Sequence, residues 1–259
     1  SLRGKMSPLE GLISARIAAS GPITVAEYME TALGHPEHGY YMKGDPFGVT
    51  GDFITAPEIS QVFGELIGLW AAVTWQQIGQ QIGQQTGSAQ KTALVECGPG
   101  RGTLMRDLLR AAKSVPAFSA SIDIHLVETS PALRERQKTT LVDYAPQWHD
   151  SLDTVPEGPT ILIANEFLDA LPIRQLVKTG AGWAERRIGL EERGLTFETG
   201  EIVLDADRLI PAGATAADGA IFEICPAAQK IADILNRRMS RAPGAALFID
   251  YGHLISSPG

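Results

Sequence analysis

Three glycines alternate behind an acidic residue in Glu96-Cys-Gly-Pro-Gly-Arg-Gly102. Glycine takes a positive φ at little steric cost and lets the backbone come close to a ligand, and the free N–H groups of a following helix point into such a turn. The turn at Gly98, Gly100 and Gly102 therefore suits a nucleotide-like molecule. A second carboxylate, Glu128, closes the run Ile122-Asp-Ile-His-Leu-Val127. At the end of a second strand it can accept hydrogen bonds from both hydroxyls of a ribose, and it could equally complement the helix that opens at Ser130-Pro131. A third polar group, Asn165-Glu-Phe-Leu-Asp-Ala-Leu-Pro172, follows the apolar run Thr160-Ile-Leu-Ile-Ala164. Glu166 and Asp169 lie three residues apart and share one side if the segment begins a helical turn. Asn165 with Glu166 in the first turn also reads as ordinary helix-start chemistry.

The elements that must hold these groups alternate. A short apolar strand, Ala93 to Val95, leads through the glycines into a helix from about Thr103 to Lys113 with Leu104, Leu108 and Leu109 on one face. The strand ending at Glu128 is followed by a helix through Lys138, and Gln147-Trp-His-Asp-Ser-Leu152 reads as a third strand with its exit. Thr160 to Ala164 is a continuous apolar run of the kind buried on both faces of a parallel sheet. Ala245-Ala-Leu-Phe-Ile-Asp-Tyr-Gly252 supplies a fifth strand after an amphipathic helix over Pro226 to Met239. Between the fourth and fifth strands, Arg174–Lys178, Trp183–Leu190 and Leu195–Glu198 read as hairpins with glycine turns, and Asp218–Ile224 as a further short strand, so 173–224 is an insertion. Alternating strands and helices of this kind predict an α/β chain that binds its ligand at the carboxyl ends of its strands.

Ahead of the glycine turn the pattern is helical. Leu9 to Ala19 places Leu9, Leu12, Ile13 and Ile17 on one face before the stop at Gly21-Pro22, and Thr24-Val-Ala-Glu27 is a capping box for a helix to about Leu33. A long irregular stretch runs to Glu58, too rich in aromatics at Tyr40, Tyr41, Phe47 and Phe53 to read as disordered. A core-packing helix is expected from Ser60 to about Ile78, with Phe63, Leu66, Ile67, Leu69 and Trp70 inward. Gln76 to Gln90 reads as a polar connection.

The chain has 259 residues, enough for a substantial core, and a formal net charge of −8. That charge argues against general affinity for nucleic acid or anionic membrane and favours a cationic partner. Two cysteines, Cys97 and Cys225, suggest no disulfide framework and fit a reducing compartment. His35 and His38 lack further ligands at a useful spacing, so no metal is expected. No apolar stretch is long enough to span a bilayer and no basic segment with an apolar run opens the chain, which points to the cytoplasm. Ser1 in place of an initiator Met leaves room for a removed targeting segment, and then for the mitochondrial matrix.

The acidic-x-Gly-x-Gly-x-Gly pattern differs from the dinucleotide fingerprint Gly-x-Gly-x-x-Gly, since Thr103 stands where the last glycine would be. A nicotinamide-dependent oxidoreductase is disfavoured on that ground. The pattern resembles motif I of class I S-adenosylmethionine (SAM) methyltransferases. The run from His35 to Trp70, with Gly51-Asp-Phe-Ile-Thr-Ala-Pro-Glu-Ile-Ser60 and Gln61-Val-Phe-Gly-Glu-Leu-Ile-Gly-Leu-Trp70, and the Asn-Glu-x-x-Asp-Ala-x-Pro element at 165–172 resemble the MidA-like family of these enzymes. That family includes a mitochondrial factor for respiratory complex I assembly that dimethylates an arginine of a complex I subunit.

The resemblance implies a Rossmann-like, mostly parallel sheet with helices on both faces, an N-terminal helical cap over 1–90, and a methyltransferase core over 91–259 carrying the β-hairpin insertion. It implies SAM as cofactor, with Glu96 near its cationic end and Gly98, Gly100 and Gly102 beneath its amino-acid and ribose portions. Asp150, Ser151 and Leu152 would lie beside the adenine or simply at the surface, and Asn165 would face the crevice. Asp52, Thr55 and Glu58 become pocket candidates, although Thr55-Ala-Pro-Glu58 is also a capping box with proline in the first turn. Glu166 and Asp169 would grip the guanidinium of an arginine in a protein substrate, by family a complex I subunit. The other reading is a SAM-binding assembly factor without essential catalysis. Class I cores normally add two more strands, so a C-terminal portion is expected outside these residues.

Overall fold

The computed structural model describes residues 6–42, 55–85, 91–211 and 216–252. Asp52, one of the pocket candidates, lies outside them. The chain divides into two compact units, one of residues 1–43, 171–229 and 252–259, the other of residues 44–170 and 230–251. The division thus differs from a cap over 1–90 and a core over 91–259. The first helices join the insertion, and the helix before the glycine turn joins the core.

In the first unit, α1 (Pro8–Ser20) and α2 (Val25–Gly34) each open on a capping box, Ser7 with Glu10 and Thr24 with Glu27. Ile13 and Ile17 of α1 are buried, whereas Leu12 faces solvent, so the apolar stripe is narrower than its spacing predicts. Between the helices, β1 (Ile23–Thr24) is only two residues long and pairs antiparallel with a strand of the insertion at Arg187 and Ile188. Two residues carry no period, which is why the sequence does not reveal this strand.

The second unit begins with α3 (Ala56–Ile59) and α4 (Gln61–Gln85). α4 runs through the glutamines that read as a connection, and two of its expected core residues are turned out, Leu66 at 61% and Leu69 at 47% exposure. The reason is its inner face. Gly64 and Gly68 bring its backbone so close to the next helix that a Cβ at either would lie 2.7 Å from Asp107 Cβ or Leu108 O. Small residues make the contact, with Ile67, Ala71 and Ala72 buried beside them.

Then come β2 (Thr92–Cys97), α5 (Thr103–Ala112), α6 (Pro116–Ala120), β3 (Ile122–Val127), α7 (Pro131–Thr140), β4 (Gln147–His149) and β5 (Thr160–Asn165). The insertion follows in the first unit as β6 (Arg174–Thr179), β7 (Gly182–Glu191), β8 (Gly194–Ile202), α8 (Ala206–Leu209) and β9 (Ile221–Ile224), and α9 (Pro226–Met239) leads back to β10 (Gly244–Ile249). The insertion strands and β1 form an antiparallel sheet in the order β1-β7-β6-β9, with β8 on β7.

The core sheet is parallel throughout, in the order β10-β5-β2-β3-β4. Neighbouring residues of its central strands face opposite layers, as the period of two requires: Leu94, Ile161 and Ile163 pack with α5 residues Met105 and Leu108, while Val95 and Leu162 pack with Ile234 and Leu235 of α9. From β2 the chain winds one way through β3 to β4, then returns to build β5 and β10 on the other side. Strand order therefore reverses between β2 and β5, where open α/β sheets form their ligand crevice.

Candidate functional site

The carboxyl ends of β2, β3, β5 and β10 carry the expected polar groups. After β2, Gly98, Gly100 and Gly102 have φ of +64°, +52° and +82°, conformations that side chains rarely adopt. Gly98 has a further constraint, because a Cβ there would lie 2.7 Å from the Phe167 ring. Glu96 is 3% exposed, and its carboxyl accepts the backbone N–H of Met105 in the first turn of α5. Gly102 stands at the N-cap without a capping side chain, so the strand-end carboxyl takes that part. Burial pushes Glu96 up to about 8 and, with Glu96 beside it, Cys97 up to about 12.

Glu128 ends β3 and is largely buried, which raises its pKa; hydrogen bonds from Ser130 N–H, Gln137 and Thr129 N–H oppose that rise. Its Oε1 accepts Ser130 N–H at 2.8 Å and its Oε2 accepts Gln137 Nε2 at 3.2 Å. Gln137, fully buried in α7, also donates to Gly100 O at 2.7 Å and accepts Trp148 Nε1 at 2.8 Å. One side chain thus ties the glycine turn to the ends of β3 and β4. Sequence reasoning missed it; the only signal is a glutamine one turn beyond Leu133, on the inward face of a charged helix.

At the end of β4, Asp150 is exposed and paired to Arg134 Nη2 at 2.6 Å, and Arg134 also holds the Glu128 carbonyl with Nε at 2.7 Å. Ser151 offers its carbonyl to Thr154 Oγ1 at 2.9 Å, and Leu152 is buried in the layer with α9. The three are thus spread among surface, turn and core. Thr55 caps α3 only by position, with no side-chain capping bond, and Glu58 turns to Arg101 of the glycine turn at 3.6 Å. The capping-box reading of this pair fails because Arg101 takes the carboxylate that would have closed it.

After β5 the segment does not start a helix. Glu166 has φ +47°, the left-handed region, and its N–H is held by Ile249 O at 2.8 Å. Both the helical turn expected to align Glu166 with Asp169 and the helix-start reading of Asn165 are therefore corrected. Through this bent turn Glu166 instead feels the charge of Asp169, and both feel that of Asp250 at the end of β10. Asp250 Oδ2 accepts Leu168 N–H at 2.8 Å and Asp169 N–H at 3.2 Å. Burial raises Glu166, and the charges of Asp169 and Asp250 raise it further, while Ala56 N–H opposes them. Asp169 is likewise raised by burial and by Asp250. Asn165 Oδ1 is buried without a hydrogen-bond partner among the described residues at the end of β5, one residue past the Cys97–Ala164 pairing.

A glycine turn in the left-handed region, a strand-end carboxylate and an amide oxygen unpartnered among the described residues, all at a strand-order reversal, fit an adenosine-type cofactor. A family model described as S-adenosyl-L-methionine-dependent methyltransferase matches residues 66–258. The chain belongs to that family.

Its similarity to other members extends along nearly all of it. It is 37% identical over 268 residues to protein arginine methyltransferase NDUFAF7, mitochondrial, of Danio rerio, covering 93% of this chain and 61% of that one. With the Mus musculus protein of the same name the identity is 36% over 276 residues, covering 96% and 61%. Among solved structures it resembles a COG1565 superfamily member from Burkholderia thailandensis bound to S-adenosyl-homocysteine, with a TM-score of 0.75, 30% identity, and 95% of this chain and 62% of that one covered. The chain spans about three fifths of the length of the curated relatives it matches. The resemblance to MidA-like methyltransferases and the class I fold are borne out. The two relatives are mitochondrial by name, which lends nothing to a cytoplasmic placement. No helix among the described residues is long and apolar enough to cross a membrane. His35 and His38 stack at 5.2 Å, and His35 Nδ1 accepts the N–H of Glu37 and of His38, so His35 shapes a turn.

Proposed function

We propose that this chain binds SAM at the carboxyl ends of β2, β3 and β5 and transfers its methyl group to an arginine of a protein. The observation that carries the reading is the grouping of Glu166, Asp169 and Asp250 about one bent turn, in which Asp250 accepts the N–H groups of Leu168 and Asp169 and three carboxylates stand together where a cation would be held. SAM supplies an electrophilic methyl group. On the protein side, Gly98, Gly100 and Gly102 receive the cofactor's backbone-facing edge, Glu128 accepts from the ribose hydroxyls, and Asn165 Oδ1 receives a donor. Glu96 stands behind the glycine turn.

Alignment and exclusion of water do most of the work in such an in-line displacement. An arginine has a pKa above 12, so no base at neutral pH removes its proton beforehand. Glu166 and Asp169 hold the guanidinium, aim one nitrogen, and accept the proton late. The names of the relatives support a protein arginine as acceptor; that it belongs to a respiratory complex I subunit we propose on family resemblance alone, and the compartment as a bacterial cytoplasm or the mitochondrial matrix.

Calorimetry with S-adenosylhomocysteine, followed by transfer from tritiated SAM to cell-extract protein and analysis for methylarginine, tests the reading. Glu128→Ala should weaken S-adenosylhomocysteine roughly tenfold or more, the scale of hydrogen bonds to a charged group. Glu166→Gln and Asp169→Asn should keep that affinity and lose transfer. Undiminished transfer by both variants would refute the roles given to the pair, and binding without any transfer by the wild type would favour the assembly-factor reading.

A further inference from the structure

Asp250 stands out because neither its neighbours in sequence nor the glycine motif point to it. It follows the last strand of the core sheet, more than eighty residues from the turn it touches. Both Leu168 N–H and Asp169 N–H converge on its Oδ2, and its Oδ1 accepts Tyr251 N–H at 2.9 Å. The turn itself carries Glu166 at φ +47°, which costs energy for a residue with a side chain and persists only when its surroundings over-determine it. Two contacts supply that determination: Ile249 O takes Glu166 N–H, and the next residue, Asp250, takes the two amides further on.

We propose that Asp250 is a positioning residue that clamps the turn presenting Glu166 and Asp169 to a guanidinium. The clamp works through charge-assisted hydrogen bonds, which are shorter and stronger than neutral ones. Asp250 also places a negative charge beside the pair, which favours a cationic occupant. The inference deepens the arginine reading and rests on it for the ligand, not for the geometry.

Two variants separate clamp from charge. Asp250→Asn keeps an oxygen for both amides and removes the charge, whereas Asp250→Ala removes both. Hydrogen exchange at Leu168 and Asp169 N–H, followed by NMR, should quicken roughly tenfold or more in Asp250→Ala and change little in Asp250→Asn. The Glu166 and Asp169 carboxyls, followed by carbon NMR, should titrate at lower pH in both variants, since a like charge has gone. With S-adenosylhomocysteine bound, the probe N-acetyl-arginine amide should weaken more in Asp250→Ala than in Asp250→Asn. Wild-type exchange in Asp250→Ala overturns the clamp, and equal loss of probe binding in both variants reduces Asp250 to a bare charge. If the wild type takes no probe, the arginine reading falls, and the exchange rates alone decide for or against the clamp.

Discussion

The turns after β2 and after β5 solve one problem in opposite ways. Both leave a central strand of the same sheet, and both need the left-handed region of backbone space. After β2 the need is met by glycines at 98, 100 and 102, and the turn is tied to its surroundings by the neutral side chain of Gln137. After β5 it is met by Glu166, which is not a glycine, and the turn is tied by the carboxylate of Asp250. The first turn is relaxed and holds one lone buried carboxyl, Glu96; the second is strained and gathers three carboxylates. Strain and unbalanced charge mark the place where a structure serves something other than its own stability. On that reasoning the first turn is a seat and the second is a tool.

Gly98→Ala should break the seat most severely. It forces an alanine to φ +64° and drives its Cβ to 2.7 Å from Phe167, a side chain of the other turn. Left-handed strain and overpacking together should cost about 3 kcal/mol, read as a fall in unfolding free energy in urea, with loss of S-adenosylhomocysteine binding. A cost below about 1 kcal/mol would mean that the two turns are not packed against each other as described.

The lone carboxyl gives the seat a pH signature. Glu96 in the folded chain titrates at about 8, above its ordinary value of 4.5, because burial disfavours its charge. Between those values the folded state holds a proton that the unfolded state has released. Its contribution is therefore complete below the unfolded value and is lost as pH rises through about 8. Glu96→Gln imitates the protonated form and keeps an oxygen for Met105 N–H. Melting curves of the variant and wild type should lie close together at acid pH and separate, with the variant more stable, toward alkaline pH. A gap independent of pH would show that Glu96 stays ionised.

The difference between the two turns also explains what could be read from the sequence. The seat is written locally: an apolar run, an acid and alternating glycines within a dozen residues fixed β2, the turn and α5 to within a residue or two. The parallel strands and α9 were legible for the same reason, through their apolar period. The tool is written at long range. Asn165 to Asp169 could be nominated from the family element, yet the bent backbone depends on Ile249 and Asp250, which reach it only once β10 has paired with β5. Gln137 was hidden likewise, because a glutamine within a polar helix acquires a role only when the fold lays it under Gly100. Glu58 misled, since a local capping pattern lost to Arg101, a partner outside the local window.

The mildest substitution tests the comparison most directly. Glu166→Gly should relieve the left-handed strain while discarding the bond from Ala56 N–H and one of three mutually repelling carboxylates. Glycine adds freedom to the unfolded chain, which offsets part of the relief, so a net gain of about 1 kcal/mol is expected in denaturant unfolding. Methyl transfer should be lost and S-adenosylhomocysteine affinity kept. A protein that becomes steadier as it stops working is the usual sign of a strained functional residue. Should the variant instead be destabilised, φ +47° would be a conformation that Glu166 itself supports through its carboxylate. The contrast between a relaxed seat and a strained tool would then rest on charge alone.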